Sequence, residues 1–208
     1  LYLGAEFDTN NDGNLDCSRE GGHQHARVVH ANGDATGREI QRVLTNAVTG
    51  HDFITAFPNT FALDIVTADG VAYGVVARDA TGKLVLFAST QIILATGGGG
   101  QLYRETTNPT IATADGVAMA YRAGAVIRDP EFFQFHPTCL YIAGAARVLI
   151  SEILRGHGGV LRNRYGDRFM PEAHPDADLA PRDVVSRAVF RQMIETKDTN
   201  VYLDLSEV

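Results

Sequence analysis

The chain has 208 residues, a formal net charge of -7, 45% hydrophobic residues and 21% charged ones. That is apolar enough for a packed core and excludes wholesale disorder. The basic residues are scattered, which excludes a nucleic-acid surface as the main business, and no apolar run approaches the ~20 residues of a membrane span.

Residues 1–35 read as loop-rich. Within them "DTNNDGNLDCSREGGHQH" (8–25) begins like a calcium loop, with Asp8, Asn10 and Asp12 alternating and Gly13 at the sharp turn. The loop template needs a bidentate Glu at its twelfth position, and that position holds Arg19. A plain Asn-Asp-Gly turn is the better reading, and no metal site is expected. Thr36 with Glu39 reads as a capping box opening a helix over 36–49, with Ile40, Val43, Leu44 and Ala47 as its apolar stripe. Short β-type runs follow: "FITAF", "FALDIVT", "GVAYGVVARD", "KLVLFAST" and "QIILAT". The last is apolar enough for a buried strand; the others suggest a meander. Helices are predicted over 113–124 and 181–197, with Pro181 at an allowed first-turn position, and a short one within 148–156. Residues 159–170 read as a hairpin turning at Tyr165–Gly166–Asp167. The mixture is α/β or α+β.

Cys17 and Cys139 lie far apart without a CxxC pattern, so two free thiols in a reducing compartment are expected. The first residues lack an initiator Met and start mid-pattern, no secretory leader is expected, and the end stops on a strand-like run. Both ends read as cut from something longer.

Four stretches carry chemistry, each with a plainer alternative. "QIILATGGGG" runs a strand into glycines but misses G-x-G-x-x-G, because residue 102 is Leu. It is either a tight turn or a place where backbone passes close to a cofactor. His136 in "EFFQFHPT" is either a core histidine or a functional one. Glu152 and Arg155 sit on one helical face, as a surface ion pair or as something more. Arg182 and Asp183 open a helix, where Asp183 suits the dipole and Arg182 would be exposed.

Taken in order, "EGGHQHARVVH", "ATGGGGQLY", "TADGVAMAYRAGA", "EFFQFHPT", "SEILRGHGG", "GDRFMPE" and "LAPRDVVSR" resemble the flavoprotein family of the L-aspartate oxidases, the succinate dehydrogenase flavoprotein subunits and the soluble fumarate reductases. The resemblance covers almost the whole chain, and within the family "REGGH" is similar to the aspartate-oxidase branch. It implies part of a Rossmann-like FAD-binding domain with a β-meander over 1–129 and an incomplete α+β capping domain over 130–208. It implies FAD as cofactor and oxidation of L-aspartate to iminoaspartate, with oxygen or fumarate as acceptor. The product would pass to quinolinate synthase on the way to NAD, in the cytoplasm. The runner-up is the succinate or fumarate flavoprotein subunit, and a rival of another class is a non-catalytic interaction module.

The site residues it implies are as follows. Arg182 stands nearest the reacting carbon. Glu152 and Arg155 form its proton relay. His136 and Ser151 hold one substrate carboxylate. Glu20 faces the substrate amine, where a carboxylate favours an ammonium and disfavours a substrate lacking it. Ala95, Thr96, Gly97, Gly98 and Asp115 lie along the FAD, and Phe61 and Ala62 lie on its adenine side. His157 departs from the pattern, which usually has Glu there. The pyrophosphate-binding G-x-G-x-x-G unit and the second substrate His and Arg have no counterpart in these residues. The isolated chain is therefore expected to bind FAD poorly and to be inactive.

Overall fold

The computed structural model describes residues 2–20, 22–145 and 147–208. These form two compact units: Leu1–Ile54 with Gln134–Val208, and Thr55–Phe133. The second unit ends at Phe133. The first 54 residues group with the C-terminal segment rather than with 55–129.

The discontinuous unit contains β1 (Cys17–Ser18) paired antiparallel with β2 (Val28–Val29), then α1 (Thr36–Thr49). The helix has its predicted bounds, but no capping box forms. The residue before it, Ala35, makes no side-chain cap, and Thr36 Oγ1 instead accepts the Ala31 N–H at 3.2 Å. Glu39 is drawn elsewhere: its carboxylate accepts the Glu6 N–H (2.8 Å) and two N–H groups of Arg42 (2.8 and 2.6 Å). The Arg42 guanidinium, and then the Glu6 N–H, hold the Glu39 carboxyl down at about 2. The stretch that resembled a calcium loop is a turn. Asn10 Oδ1 accepts the N–H of Asp12 and of Asn14, while the Asp8 carboxylate accepts those of Asn32 and Gly33.

Chain order then passes through the second unit. β3 (Phe61–Ala68), β4 (Val71–Arg78) and β5 (Leu84–Ala88) form an antiparallel meander in the order β3-β4-β5. Asp69 and Gly70 turn the first hairpin at positive φ (51° and 75°), which suits Asp-Gly. α2 (Asp115–Arg122) lies on β3, and Arg122 ties it there through Asp64 Oδ2 (2.9 Å) and the Leu63 carbonyl (3.0 Å). "FITAF" forms no strand. Nor does "QIILAT": Ile93 is 92% exposed, and 91–96 has no ladder partner among the described residues. Apolar sequence favours a strand, but only a paired backbone makes one.

Back in the first unit, β6 (Cys139–Leu140) pairs with β7 (Val148–Leu149). The helix expected within 148–156 shrinks to one turn, α3 (Ile153–Gly156). β8 (Val160–Arg162) pairs with β9 (Tyr202–Asp204), although the predicted turn survives as a bridge between Arg162 and Arg168. α4 (Met170–Ala173) precedes α5 (Arg182–Thr196), whose fixed Pro181 is its cap residue. Leu161, Phe169, Met170, Ala180, Val185 and Ala188 form the core. Leu161, Phe169, Met170 and Val185 each contribute roughly 1.5–3 kcal/mol by leaving water. This core sets β8 and the starts of α3 and α5 within reach of one another.

Candidate functional site

Three of the expected residues meet in the first unit. Glu152, the residue before α3, is 3% exposed. Its Oε1 accepts Arg155 Nη2 at 2.8 Å, and its Oε2 accepts Arg182 Nε at 2.9 Å. One turn of helix brings Arg155 back over Glu152, and the first residue of α5 supplies Arg182. Glu152–Arg155 is therefore not a surface pair. The Arg155 side chain is fully buried, while that of Arg182 is 40% exposed at the open end. Burial pulls Arg155 below arginine's ordinary value, against the opposing pull of Glu152 and Asp178. The Arg155 guanidinium stays charged all the same.

Arg182 also donates from Nη1 to Gln134 Oε1 at 3.3 Å. Gln134 was missed in the sequence, although it stands two places before His136 in "EFFQFHPT". His136 is half-buried, and desolvation lowers its pKa below 6.5; Arg182 and Arg155 push the same way, Glu152 the other. Its Nδ1 lies 2.8 Å from the Thr138 carbonyl and 3.2 Å from the Thr138 N–H. Nδ1–H donates to the Thr138 carbonyl, the shorter contact, so Nε2 accepts when the ring is neutral and donates to a carboxylate as the imidazolium.

Glu20 and Ser151 line a second feature, a cleft of about 1000 Å³ whose walls include Arg19, His30, Gly156 and His157. Glu20 is partly buried, and its carboxylate has no hydrogen-bond or ion-pair partner among the described residues. Gly21, the first glycine of "REGGH", lies outside those residues. The loop around Glu20 is held from two sides. The Gly22 N–H donates to the Leu179 carbonyl (3.0 Å), three residues before Arg182. A Cβ on Gly156 would come within 2.9 Å of the Arg19 carbonyl, so only glycine lets loop and α3 meet. Ser151 Oγ accepts the Ile153 N–H at 3.3 Å, which leaves its hydroxyl proton free. His157, the departure from the family pattern, turns its Nδ1 onto the Ile153 carbonyl (2.9 Å) at the end of α3.

The residues assigned to FAD lie in the other unit, and its glycines divide in two. Gly99, Gly100 and Gly116 are packers: a Cβ on Gly116 would collide with the Thr96 side chain, one on Gly100 with Asn108, and one on Gly99 would lie 2.8 Å from Ala114 Cβ. Gly97 and Gly98 are different. A Cβ at either meets nothing within 4 Å, and Gly97 has φ +74°. Bare, open backbone at Gly97–Gly98, beside a Thr96 braced by Gly116, is a surface that a flat cofactor can approach closely. These residues fit FAD. Asp115 is engaged by the Thr113 hydroxyl. Phe61 and Ala62 pair with Arg78 and Ala77 in the meander, and no hydrogen bond among the described residues links them to 95–98.

The FAD binding domain family model matches residues 2–208. The chain is 46% identical over 219 residues to L-aspartate oxidase 2-b, chloroplastic, of Nicotiana tabacum, covering 99% of this chain and 34% of the relative. It is 42% identical over 208 residues to L-aspartate oxidase of Bacillus subtilis, covering 100% and 38%. Among solved structures, the quinol fumarate reductase of E. coli superposes with a TM-score of 0.90 at 33% identity, covering 100% of this chain and 38% of that one. The chain thus spans about a third of the length of the curated relatives it matches.

Proposed function

Starting from a chain that belongs to the FAD binding domain family and takes FAD as its cofactor, we propose that the whole protein oxidises L-aspartate to iminoaspartate. When bound, FAD supplies the acceptor for the hydride that leaves the substrate Cα. The chain's own residues do the rest. Glu20 favours the substrate ammonium in the cleft it shares with Ser151. The Ser151 hydroxyl and His136 hold one carboxylate. Arg182 presents its exposed guanidinium to the substrate and polarises it. Glu152 and Arg155 fix that guanidinium and link it to the interior. The observation that carries the reading is the buried Glu152 carboxylate bridging two arginines, one sealed in and one partly exposed. Such an arrangement is expensive unless used, because buried ion pairs are weak stabilisers.

The relatives named L-aspartate oxidase support this substrate. A second reading, a succinate or fumarate flavoprotein, is favoured by the superposition on quinol fumarate reductase. Glu20 speaks for aspartate. Retention of the complete Glu152–Arg155–Arg182 cluster speaks against a non-catalytic module. Residues 130–208 are the proposed capping part and 1–129 the proposed FAD-side part, with the compact-unit break at Phe133/Gln134 close to that division. Quinolinate synthase is the proposed consumer of the product. The cytoplasm is the proposed compartment, supported by two exposed free thiols that suit a reducing milieu; the names of the plant relatives place those proteins in chloroplasts. No helix among the described residues is long and apolar enough to cross a membrane.

The test is anaerobic. The FAD-loaded protein that includes this chain is mixed with L-aspartate or with succinate, and flavin absorbance is followed. Bleaching by aspartate alone is expected. Bleaching by succinate alone would transfer the protein to the second reading.

A further inference from the structure

Arg155 does not stop at Glu152. Its Nη1 donates to the main-chain carbonyl of Asp178 at 2.5 Å. Asp178 is 3% exposed and its carboxylate is fully engaged: Oδ1 accepts the Leu161 N–H of β8 at 2.8 Å, and Oδ2 accepts Nε and Nη2 of Arg168 at 2.9 and 2.7 Å. Arg168, in the "GDRFMPE" block to which no role had been given, is 46% exposed at the far end. The side chains thus alternate in charge from one partly exposed arginine to another: Arg182, Glu152, Arg155, Asp178, Arg168.

We propose that Asp178 and Arg168 are positioning residues for the buried Arg155, the outer half of a chain whose inner end is Arg182. This rests on the reading of Arg182 as the residue at the substrate. Three observations carry it. Arg155 Nε has no hydrogen-bond partner among the described residues, so Arg155 is held by its two terminal nitrogens, one on Glu152 and one on Asp178. Loss of the Asp178 end leaves a single anchor. Second, Asp178 is clamped from opposite sides, by the backbone of β8 and by the Arg168 fork, so its carbonyl cannot drift. Third, Arg155 meets the main-chain oxygen of Asp178, not its carboxylate. The chain is no proton wire at that joint, and Asp178 acts by placement and by its charge. Three guanidiniums against two carboxylates leave one net positive charge, which suits a dianionic substrate at the Arg182 end.

The experiment uses the FAD-loaded protein that includes this chain, with reduction by L-aspartate and consumption of fumarate by the reduced protein measured separately across pH, together with Tm. Fumarate consumption adds a hydride to one alkene carbon and a proton to the other, giving succinate, so it needs the relay. Aspartate oxidation, whose amine sheds its proton first, needs it less. Arg168→Ala and Asp178→Asn are expected to slow fumarate consumption about tenfold with KM within about twofold, and to change aspartate oxidation much less. Arg168→Lys restores most of the rate. The groups facing Arg155 are Glu152, Asp178, Arg182 and His136. Arg155 keeps its charge throughout, so the loss is expected in kcat at every pH, with the shape of the profile kept, and not as a moved limb. Arg168 lies at the surface, so its variants stay testable if Asp178→Asn does not fold. Lower Tm with wild-type rates, or equal slowing of both half-reactions, would overturn the inference. A wild-type protein that neither substrate reduces and that does not consume fumarate would instead overturn the functional reading beneath it.

Discussion

The relay cluster of the first unit and the glycine strip of the second are built on opposite terms. Around Glu152 the two carboxylates and Arg155 are buried and engaged: the Glu152 oxygens hold two arginines, and Asp178 holds a third. Around Gly97 and Gly98 the backbone is bare, with nothing near where side chains would stand. The first region is complete in its own contacts before any ligand arrives. The second is shaped by what it leaves open. In the proposed function the first region holds catalytic charge, which has to be preorganised, and the second a cofactor surface, which has to be cleared.

The comparison breaks most visibly at Glu152. Glu152→Ala leaves Arg155 buried and uncompensated, which is expected to destabilise the FAD-loaded protein by roughly 3–5 kcal/mol in denaturant titration. Glu152→Gln keeps an acceptor but not the charge, and fumarate consumption by the reduced protein is expected to fall about 100-fold or more. An unaltered rate in Glu152→Gln would remove the relay from the mechanism.

Next comes Glu20, the one carboxylate of the site that has no partner among the described residues. Glu20→Gln is expected to raise the KM for L-aspartate about 10–100-fold while tightening succinate binding, which separate inhibition constants check.

The glycine strip is sharpened by a matched pair. Gly116→Ala drives a methyl into Thr96 and is expected to destabilise by about 1–3 kcal/mol, read as a lower Tm. Gly98→Ala meets no protein atom, so Tm of the apoprotein should hold while FAD affinity, measured by flavin fluorescence, weakens. If FAD affinity is unchanged, the open backbone serves something else. The 208 residues alone are expected to retain little FAD through gel filtration.

The smallest effect is His136. Desolvation lowers its pKa below 6.5, so the unfolded chain takes up a proton first as pH falls. Its contribution to stability is therefore full above about 6.5 and declines as pH drops below that value toward the folded pKa. His136→Asn should flatten that part of a Tm-against-pH curve.

Periodicity and turn chemistry were enough to outline α1, α2, α5 and the meander, because those elements depend on neighbours close in sequence. They failed where the partner is distant. Thr36 and Glu39 have capping-box spacing, yet Glu39 is claimed by the N–H of Glu6, 33 residues away. "QIILAT" has strand composition but no paired neighbour among the described residues. β8 was assigned a hairpin partner next door and takes β9 instead.

The site divides the same way. The resemblance carried by the order of its motifs singled out Glu152, Arg155, Arg182, His136 and Glu20 as candidates, and the structure brings the first three into direct contact. Burial, and the bond that joins Arg155 to Asp178, came only from the tertiary structure. Asp178 is one of several acids in "PDADLAPRD", and nothing local distinguishes it. It becomes special because the chain folds β8 and Arg168 around its carboxylate and brings Arg155 of α3 onto its carbonyl, and burial makes the carboxylate's pairing obligatory.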